Sequence, residues 1–361
     1  MKTTPLTLRK KAALELWRLH EQDMRREHPL RQLFWESTLR CDLNCRHCGS
    51  DCKTVAEQTD MPLKDFLGVL DSIARRCDPH EVFVIVSGGE PLMRRDLEQC
   101  GRAIYERGFP WGVVTNALHL TPQRYRALLQ AGMHSMTISL DGLEADHNWM
   151  RGNDNSFKMV SQAIDMLAGT PGFTFDIVTC VTRRNYERLD EIKEFLISKG
   201  VSFWRLFTVF PVGRAVHDPM MRLSGDEFRG VFDFIKATRR EGRISAEYGC
   251  EGFLGNYEGE VRSRLFACQA GVTIGSVLCD GSISACTSLR ANYHQGNIYQ
   301  GDDFMDVWEQ RFAAYRNHDW MRNGDCRDCR YWRYCQGNGL HLRDDDGRLL
   351  LCHLRKMRGE K

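Results

Sequence analysis

The stretch Cys41-Asp-Leu-Asn-Cys45-Arg-His-Cys48 sets three thiols at x3 and x2 spacing, just after the apolar run Leu33-Phe34-Trp35. Thiolates are soft ligands that suit zinc and iron–sulfur clusters. Three of them on one short loop can hold three corners of a 4Fe-4S cube. Such a cluster normally takes four cysteines, so a local set of three leaves one iron open to another ligand. A zinc site or unrelated buried thiols fits the same three residues, and the loop alone does not decide between them.

Other stretches carry residue types that could take part in chemistry. Ser87-Gly88-Gly89-Glu90-Pro91-Leu92 pairs two glycines with a carboxylate. The glycines let backbone come close to a ligand, and carbonyls and a carboxylate accept from an ammonium. A tight turn accounts for the glycines equally well. Thr115-Asn116-Ala117, Ser139-Leu140-Asp141-Gly142 and Arg151 follow. A planar guanidinium such as that of Arg151 suits a carboxylate. Strict alternation puts Asp176, Val178, Cys180 and Thr182 on one side of a strand, so Asp176 and Cys180 are candidates to touch a substrate. A thiol there could give a hydrogen atom to a substrate radical, although inert buried cysteines are much commoner. Near the C-terminus come Cys268, Gly281-x4-Cys286, Cys326-x2-Cys329-x5-Cys335 and Cys352. Structural zinc also uses such Cys-x2-Cys frames.

The elements that must position these residues alternate between strand and helix. Strands are expected at Gln32–Thr38, Glu81–Ser87, Trp111–Thr115, Ser135–Ser139, Phe175–Thr182 and Phe203–Val209, with helices between them. Thr121-Pro122 supplies a cap and a first-turn proline, and Ser224-Gly-Asp-Glu227 has capping-box spacing for a helix to about Arg240. Six βα units predict an α/β fold, a partial (β/α)6 TIM-like barrel open on one side, with its chemistry at the C-terminal strand ends. Residues 5–27 read as an amphipathic helix (Leu14, Leu16, Trp17, Leu19) that packs on the outside of this barrel rather than binding a peptide. From Cys250 regular structure thins, apart from a helix around Phe304–Asn317. The expected division is 1–29 for the N-terminal helix, 30–240 for the barrel and 241–361 for a cysteine-rich domain and tail.

Composition narrows the class. With 361 residues, 42% hydrophobic content and a formal net charge of +2, the chain can build a large core and implies no nucleic-acid partner. No run is apolar enough to span a membrane, and residues 1–31 contain no export signal. Fifteen cysteines in that setting read as metal ligands or buried thiols in a reducing cytoplasm.

Taken together, the cysteine triad, Gly88-Gly89-Glu90 and the C-terminal cysteine series resemble the radical S-adenosylmethionine (radical SAM) enzymes carrying the SPASM extension. The resemblance implies a 4Fe-4S cluster on Cys41, Cys45 and Cys48, with S-adenosylmethionine (SAM) on the open iron. Reductive cleavage then yields a 5′-deoxyadenosyl radical. It assigns Gly88, Gly89 and Glu90 to the methionine amino group, Arg151 to its carboxylate, and Ser139 or Asp141 to the ribose. Asn116 lies near the cofactor, where the family motif is usually Thr-Asn-Gly. The backbone near Leu206–Thr208, leading into Pro211-Val212-Gly213-Arg214-Ala215, is assigned to adenine. SPASM domains carry one or two auxiliary clusters. Cys326, Cys329, Cys335 and Cys352 make a full outer set. The family's next cysteine is Gly339 here, so the inner set keeps Cys268 and Cys286, with Cys279 as its expected third ligand and Cys250 as second choice. An inner cluster on three cysteines would have an open iron. Cys52, Cys77 and Cys100 are left as packed or incidental thiols.

The expected activity is modification of a ribosomally made peptide or a protein side chain by crosslinking, thioether formation, oxidation or epimerisation, fed by an electron donor such as flavodoxin or ferredoxin. Maturation of a sulfatase-type protein or action on a small molecule is the alternative among enzymes. A non-catalytic iron–sulfur carrier or sensor is the alternative outside them.

Overall fold

The computed structural model describes residues 6–289 and 291–360. Six strands come in sequence with helices between them: β1 (Gln32–Thr38), β2 (Phe83–Gly88), β3 (Trp111–Thr115), β4 (Met133–Ser139), β5 (Thr174–Val181) and β6 (Phe203–Thr208). Each pairs in parallel with the next. Side chains alternate across these strands. Leu33, Trp35, Val84, Val86, Trp111 and Trp204 face the helices and are buried. Trp35 stacks on Phe66 with ring centroids 4.1 Å apart, and Trp204 meets Phe234 edge-on at 5.7 Å. Burying one such side chain contributes roughly 1.5–3 kcal/mol, so the helix-facing rows fix the register. The intervening row, which includes Phe34, Asp176, Val178 and Cys180, faces the interior.

The expected partial barrel is present, and the sheet runs on past residue 240. A seventh strand, β7 (Ser245–Tyr248), adds in parallel to β6. At the opposite edge β8 (Ile274–Val277) adds in parallel to β1, followed antiparallel by β9 (Ser282–Ser284) and β10 (Gly296–Asn297). The sheet order is β10-β9-β8-β1-β2-β3-β4-β5-β6-β7. The cysteine-rich region is therefore built onto both edges of the barrel sheet. Strands of two to four residues carry too little alternation to be read from sequence.

The N-terminal helix forms at Leu8–Glu27, capped by Thr7. Residue 5 of the expected span lies outside the described residues. The helix packs against the C-terminal region instead of the barrel. Trp17 Nε1 donates to the Phe266 carbonyl (3.2 Å), Arg25 donates to the Arg316 carbonyl (3.2 Å), and Gln269 donates to the Glu21 carboxylate (2.8 Å). Leu14 is buried, whereas Leu16 and Leu19 are exposed. The capping box is formed: Ser224 Oγ accepts from the Glu227 N–H at 3.1 Å, and the Glu227 carboxylate accepts from the Ser224 N–H. The last expected helix is two, Phe304–Gln310 and Ala313–Arg316. No helix among the described residues is long and apolar enough to cross a membrane.

Candidate active site

The cysteine loop leaves the C-terminal end of β1 and is tied down at both ends. Arg40 bridges to Lys53, and the Cys41 N–H donates to the Lys53 carbonyl at 2.8 Å. The Pro211–Ala215 turn clamps the middle. Arg214 Nε donates to the Cys45 carbonyl (2.8 Å), its Nη1 to Asn44, and its N–H to the Cys48 carbonyl (3.1 Å). Gly213 has φ 57°, and a Cβ there would lie 2.4 Å from the Cys48 carbonyl oxygen, so only glycine allows this approach. This turn grips the loop.

Four sulfurs gather here. Cys41, Cys45 and Cys52 are buried in one cluster with Cys48 packed against it. Burial pushes the Cys41 thiol up to about 12, and burial also raises Cys45, against the pull of Arg151. Contact between Cys48 and Cys52 lowers Cys48 and raises Cys52. Cys52 is thus a packed thiol, and its packing partners are the three motif cysteines. Its sequence signal was its place on the same loop, a further x3 beyond Cys48.

The ends of β2 to β5 converge on this loop. Gly88 and Gly89 make a close backbone approach, but to the chain itself. A Cβ on Gly88 would lie 2.1 Å from the Thr38 carbonyl oxygen, and one on Gly89 2.3 Å from that of Arg40. The Gly89 N–H donates to Thr38 (2.7 Å) and the Glu90 N–H to Arg40 (2.8 Å). Glu90 is buried, and its carboxylate accepts from Thr115 Oγ1 (2.7 Å), the Asn116 N–H (2.7 Å) and the Leu92 N–H (2.9 Å). Burial outweighs these bonds and pushes its pKa up to about 7. Asn116 Nδ2 donates to Asp42 beside Cys41 at 2.9 Å. Ala117 adopts φ 61°, which explains why glycine usually fills this position in the family motif.

Asp141 is buried at the end of β4. Its carboxylate pairs with Arg151 at 2.7 Å and accepts from the Cys180 N–H at 2.9 Å. Burial opposes its ionisation, but Arg151 and the nearby histidines hold its pKa below the ordinary value. Asp141 therefore orients Arg151, whose Nη1 lies 3.6 Å from Cys45 Sγ. Ser139 ends β4 on the interior row, in register with Val178. His147 is structural: its Nδ1 accepts from the Asp141 N–H (3.0 Å) and its Nε2 meets Ser156 Oγ (2.9 Å).

His47, Asp141 and Cys180 bring their polar atoms within 4.8 Å of one another. Among the described residues, His47 Nδ1 and Arg151 Nε are buried without a hydrogen-bond partner. Orphaned donors and acceptors beside a nest of thiols fit a polar, charged ligand and a cluster at this spot. Cys180 lies at this point, and burial raises it well above its ordinary pKa, so it stays a thiol.

Two expected site residues are not brought here. Asp176 lies on the interior row, but it is four residues before Cys180, roughly 13 Å back along the strand. There it accepts from Thr137 Oγ1 (2.6 Å) and pairs with Arg205. Leu206 shares the helix-facing row with Trp204, and its carbonyl already accepts from the Gly249 N–H at 2.8 Å. Neither its side chain nor that carbonyl is offered to adenine.

The outer C-terminal cysteines do converge. Cys326, Cys329, Cys335 and Cys352 all line one cavity of about 440 Å³. The buried Arg343 guanidinium reaches Cys326 Sγ at 3.3 Å, a cation suited to several thiolates.

The inner set differs from expectation. Cys279 donates its thiol to the Thr59 carbonyl at 3.1 Å, beside Glu36. The β8–β9 pairing sets Val277 opposite Ile283 and Ser276 opposite Ser284. Cys286 lies past the end of β9, whereas Cys279 sits in the turn between β8 and β9, so the two leave the paired segment at opposite ends. Cys250, exposed just past the end of β7, has Cys286 and Cys268 as neighbours and is the other candidate for this set. Burial raises Cys268, while the Leu340 and Ala270 N–H groups draw it back. Gly339 N–H donates to the Glu251 carbonyl at 3.0 Å, and a Cβ at 339 would lie 2.6 Å from His341 Cε1. The His341 ring thus fills the space of the missing side chain. Glu251 accepts from the Thr208 N–H (2.9 Å) and from Tyr248, which also meets His353 (2.9 Å). This buried network ties the end of β6 to the neighbours of Cys250 and Cys352.

Comparison with known proteins matches both regions. Residues 35–196 match the model of the radical SAM superfamily, and residues 268–330 match SPASM, an iron–sulfur cluster-binding domain. The chain is 27% identical to the AdoMet-dependent heme synthase of Methanosarcina barkeri, over 85% of this chain and 90% of that one. It is also 27% identical to the mycofactocin maturase MftC of Mycolicibacterium smegmatis, over 84% of this chain and 76% of that one. The fold is similar to that of Streptococcus suis SuiB bound to S-adenosylmethionine, with TM-score 0.68 at 17% identity, covering 98% of this chain and 84% of SuiB.

Proposed function

Because this chain belongs to the radical SAM superfamily and carries the SPASM extension, an enzyme with SAM and 4Fe-4S clusters as cofactors, we propose that it modifies a peptide or protein side chain. When bound, the cluster and SAM supply a 5′-deoxyadenosyl radical that abstracts hydrogen from the substrate. Cys41, Cys45 and Cys48 are the residues we assign to that cluster. The observation that carries the reading is the convergence of this loop with Glu90, Asn116 and Arg151 at the C-terminal strand ends.

Each residue has a definable task. Arg151, fixed by Asp141, presents a guanidinium beside Cys45 where the methionine carboxylate would lie. Gly88 and Gly89 bring β2 against the root of the cysteine loop. Glu90 locks β3 to β2 through Thr115 and Asn116, leaving its charge next to the site. To Cys180, a thiol at the end of β5, we assign the return of a hydrogen atom. We assign Cys326, Cys329, Cys335 and Cys352 to the outer auxiliary cluster, and Cys250, Cys268 and Cys286 to the inner one. We place the enzyme in the cytoplasm, with a flavodoxin or ferredoxin as electron donor.

The maturase relative supports a peptide substrate. A second reading, action on a small molecule such as a tetrapyrrole, is favoured by the equal identity to heme synthase. Anaerobic incubation with SAM and reductant tests the two. A mass change in a short peptide encoded beside this gene supports the first. Conversion of an iron porphyrin with no peptide change supports the second and overturns the first.

A further inference from the structure

The radical SAM motif accounts for three thiols, and the barrel-mouth loop holds four. Cys52 is 6% exposed and shares one buried cluster with Cys41 and Cys45, with Cys48 in contact. Its position is held from both sides. The next residue, Lys53, is bridged to Arg40 and accepts from the Cys41 N–H. The Cys52 carbonyl accepts from Arg214 at 3.4 Å, the same guanidinium that grips Cys45. The loop thus closes on itself so that the fourth sulfur returns to the first. A thiol packed merely to fill space would not need to sit among three metal-binding thiols on a doubly anchored loop.

We propose that Cys52 is a fourth sulfur ligand at this site, holding the iron that the three-cysteine motif leaves open until SAM arrives. This rests on the radical SAM reading and extends it. As the Cys52 sulfur bonds to iron, its proton passes to water. When the methionine amino and carboxylate groups take the same iron, the thiolate leaves and regains a proton. No electron moves in either direction. A four-thiolate site has no open iron to react with other small molecules, so the device would protect the enzyme between substrates.

The test compares full-length wild type with Cys52→Ala and the closer isostere Cys52→Ser, all reconstituted anaerobically. Electron paramagnetic resonance of the reduced proteins is recorded without and with SAM, and signals from auxiliary clusters cancel in the difference between proteins. We expect equal iron content, SAM-free spectra that differ between wild type and Cys52→Ala, and SAM-bound spectra that superimpose. The apparent dissociation constant for SAM should tighten by about tenfold in Cys52→Ala, because a competing ligand is gone. Superimposable SAM-free spectra with unchanged SAM affinity would overturn the proposal. 5′-Deoxyadenosine is measured on the same samples. If wild type makes none, the radical SAM reading fails. If it makes the nucleoside normally while the spectra superimpose, only the role of Cys52 fails.

Discussion

The barrel-mouth loop has one thiol more than its motif requires, whereas the inner C-terminal site has one fewer. The loop draws Cys41, Cys45, Cys48 and Cys52 from a single anchored turn. Cys250, Cys268 and Cys286, the thiols we assign to the inner site, come from three places, just past the ends of β7 and β9 and the approach to β8, and Gly339 stands where the resemblance expects a cysteine. A local set is fixed by the covalent chain, so its geometry survives small changes elsewhere. An assembled set depends on sheet register and on packing between distant segments, so one shift can remove a ligand. The contrast predicts that perturbations of the barrel mouth show as loss of chemistry, and those of the C-terminal region as loss of metal.

The largest expected effect sharpens the barrel side. Asp141→Asn leaves the buried Arg151 without its counter-charge. Stability should fall by about 3–5 kcal/mol, read by denaturant unfolding under anaerobic conditions. On the C-terminal side, Cys250→Ala should lower iron by about four per chain, the content of one cluster, while Cys279→Ala leaves it unchanged. The reverse pattern would return Cys279 to the inner site and break the account of its register.

Glu90 gives a pH signature confined to the barrel. Its folded pKa is raised from the ordinary 4.5 to about 7 by burial. For an acid shifted upward, the penalty on folding is absent below the unfolded value, grows as pH rises, and is complete above the folded value. Between pH 5 and pH 8 the stability of wild type relative to Glu90→Gln should therefore fall by about 2–3 kcal/mol in SAM-free protein. A flat difference would show that the carboxylate is ionised throughout. Smallest is Arg214→Ala, which removes the clamp on Cys45 and Asn44. It should cost about 1–2 kcal/mol and slow cluster incorporation, with little effect on the outer C-terminal set.

What could be read from sequence follows the same divide. The six βα units, the cysteine loop and the outer Cys-x2-Cys-x5-Cys frame each announce themselves within a short window. Asp176 and Leu206 show two limits of reading a site from sequence. Alternation gave the correct face for Asp176 but not its depth along the strand, and Leu206 was assigned by its neighbourhood to a turn that instead grips the loop. Cys52 fell outside a three-cysteine motif, although its spacing was visible. Cys250 could be preferred to Cys279 only once the fold brought Cys250 near Cys268 and Cys286 and set Cys279 against the Thr59 carbonyl. The N-terminal helix was evident from its periodicity, but not the partner it packs against, because that surface, at Phe266 and Arg316, lies far away in sequence while the barrel follows directly.

We assign to the loop at the end of β1 the cluster that splits SAM. The most direct measurement is 5′-deoxyadenosine formed by anaerobically reconstituted enzyme with SAM and a strong reductant, in wild type and in Cys45→Ala. The account predicts formation in wild type and none in Cys45→Ala, with the outer C-terminal cluster still present. Continued formation in Cys45→Ala would contradict it.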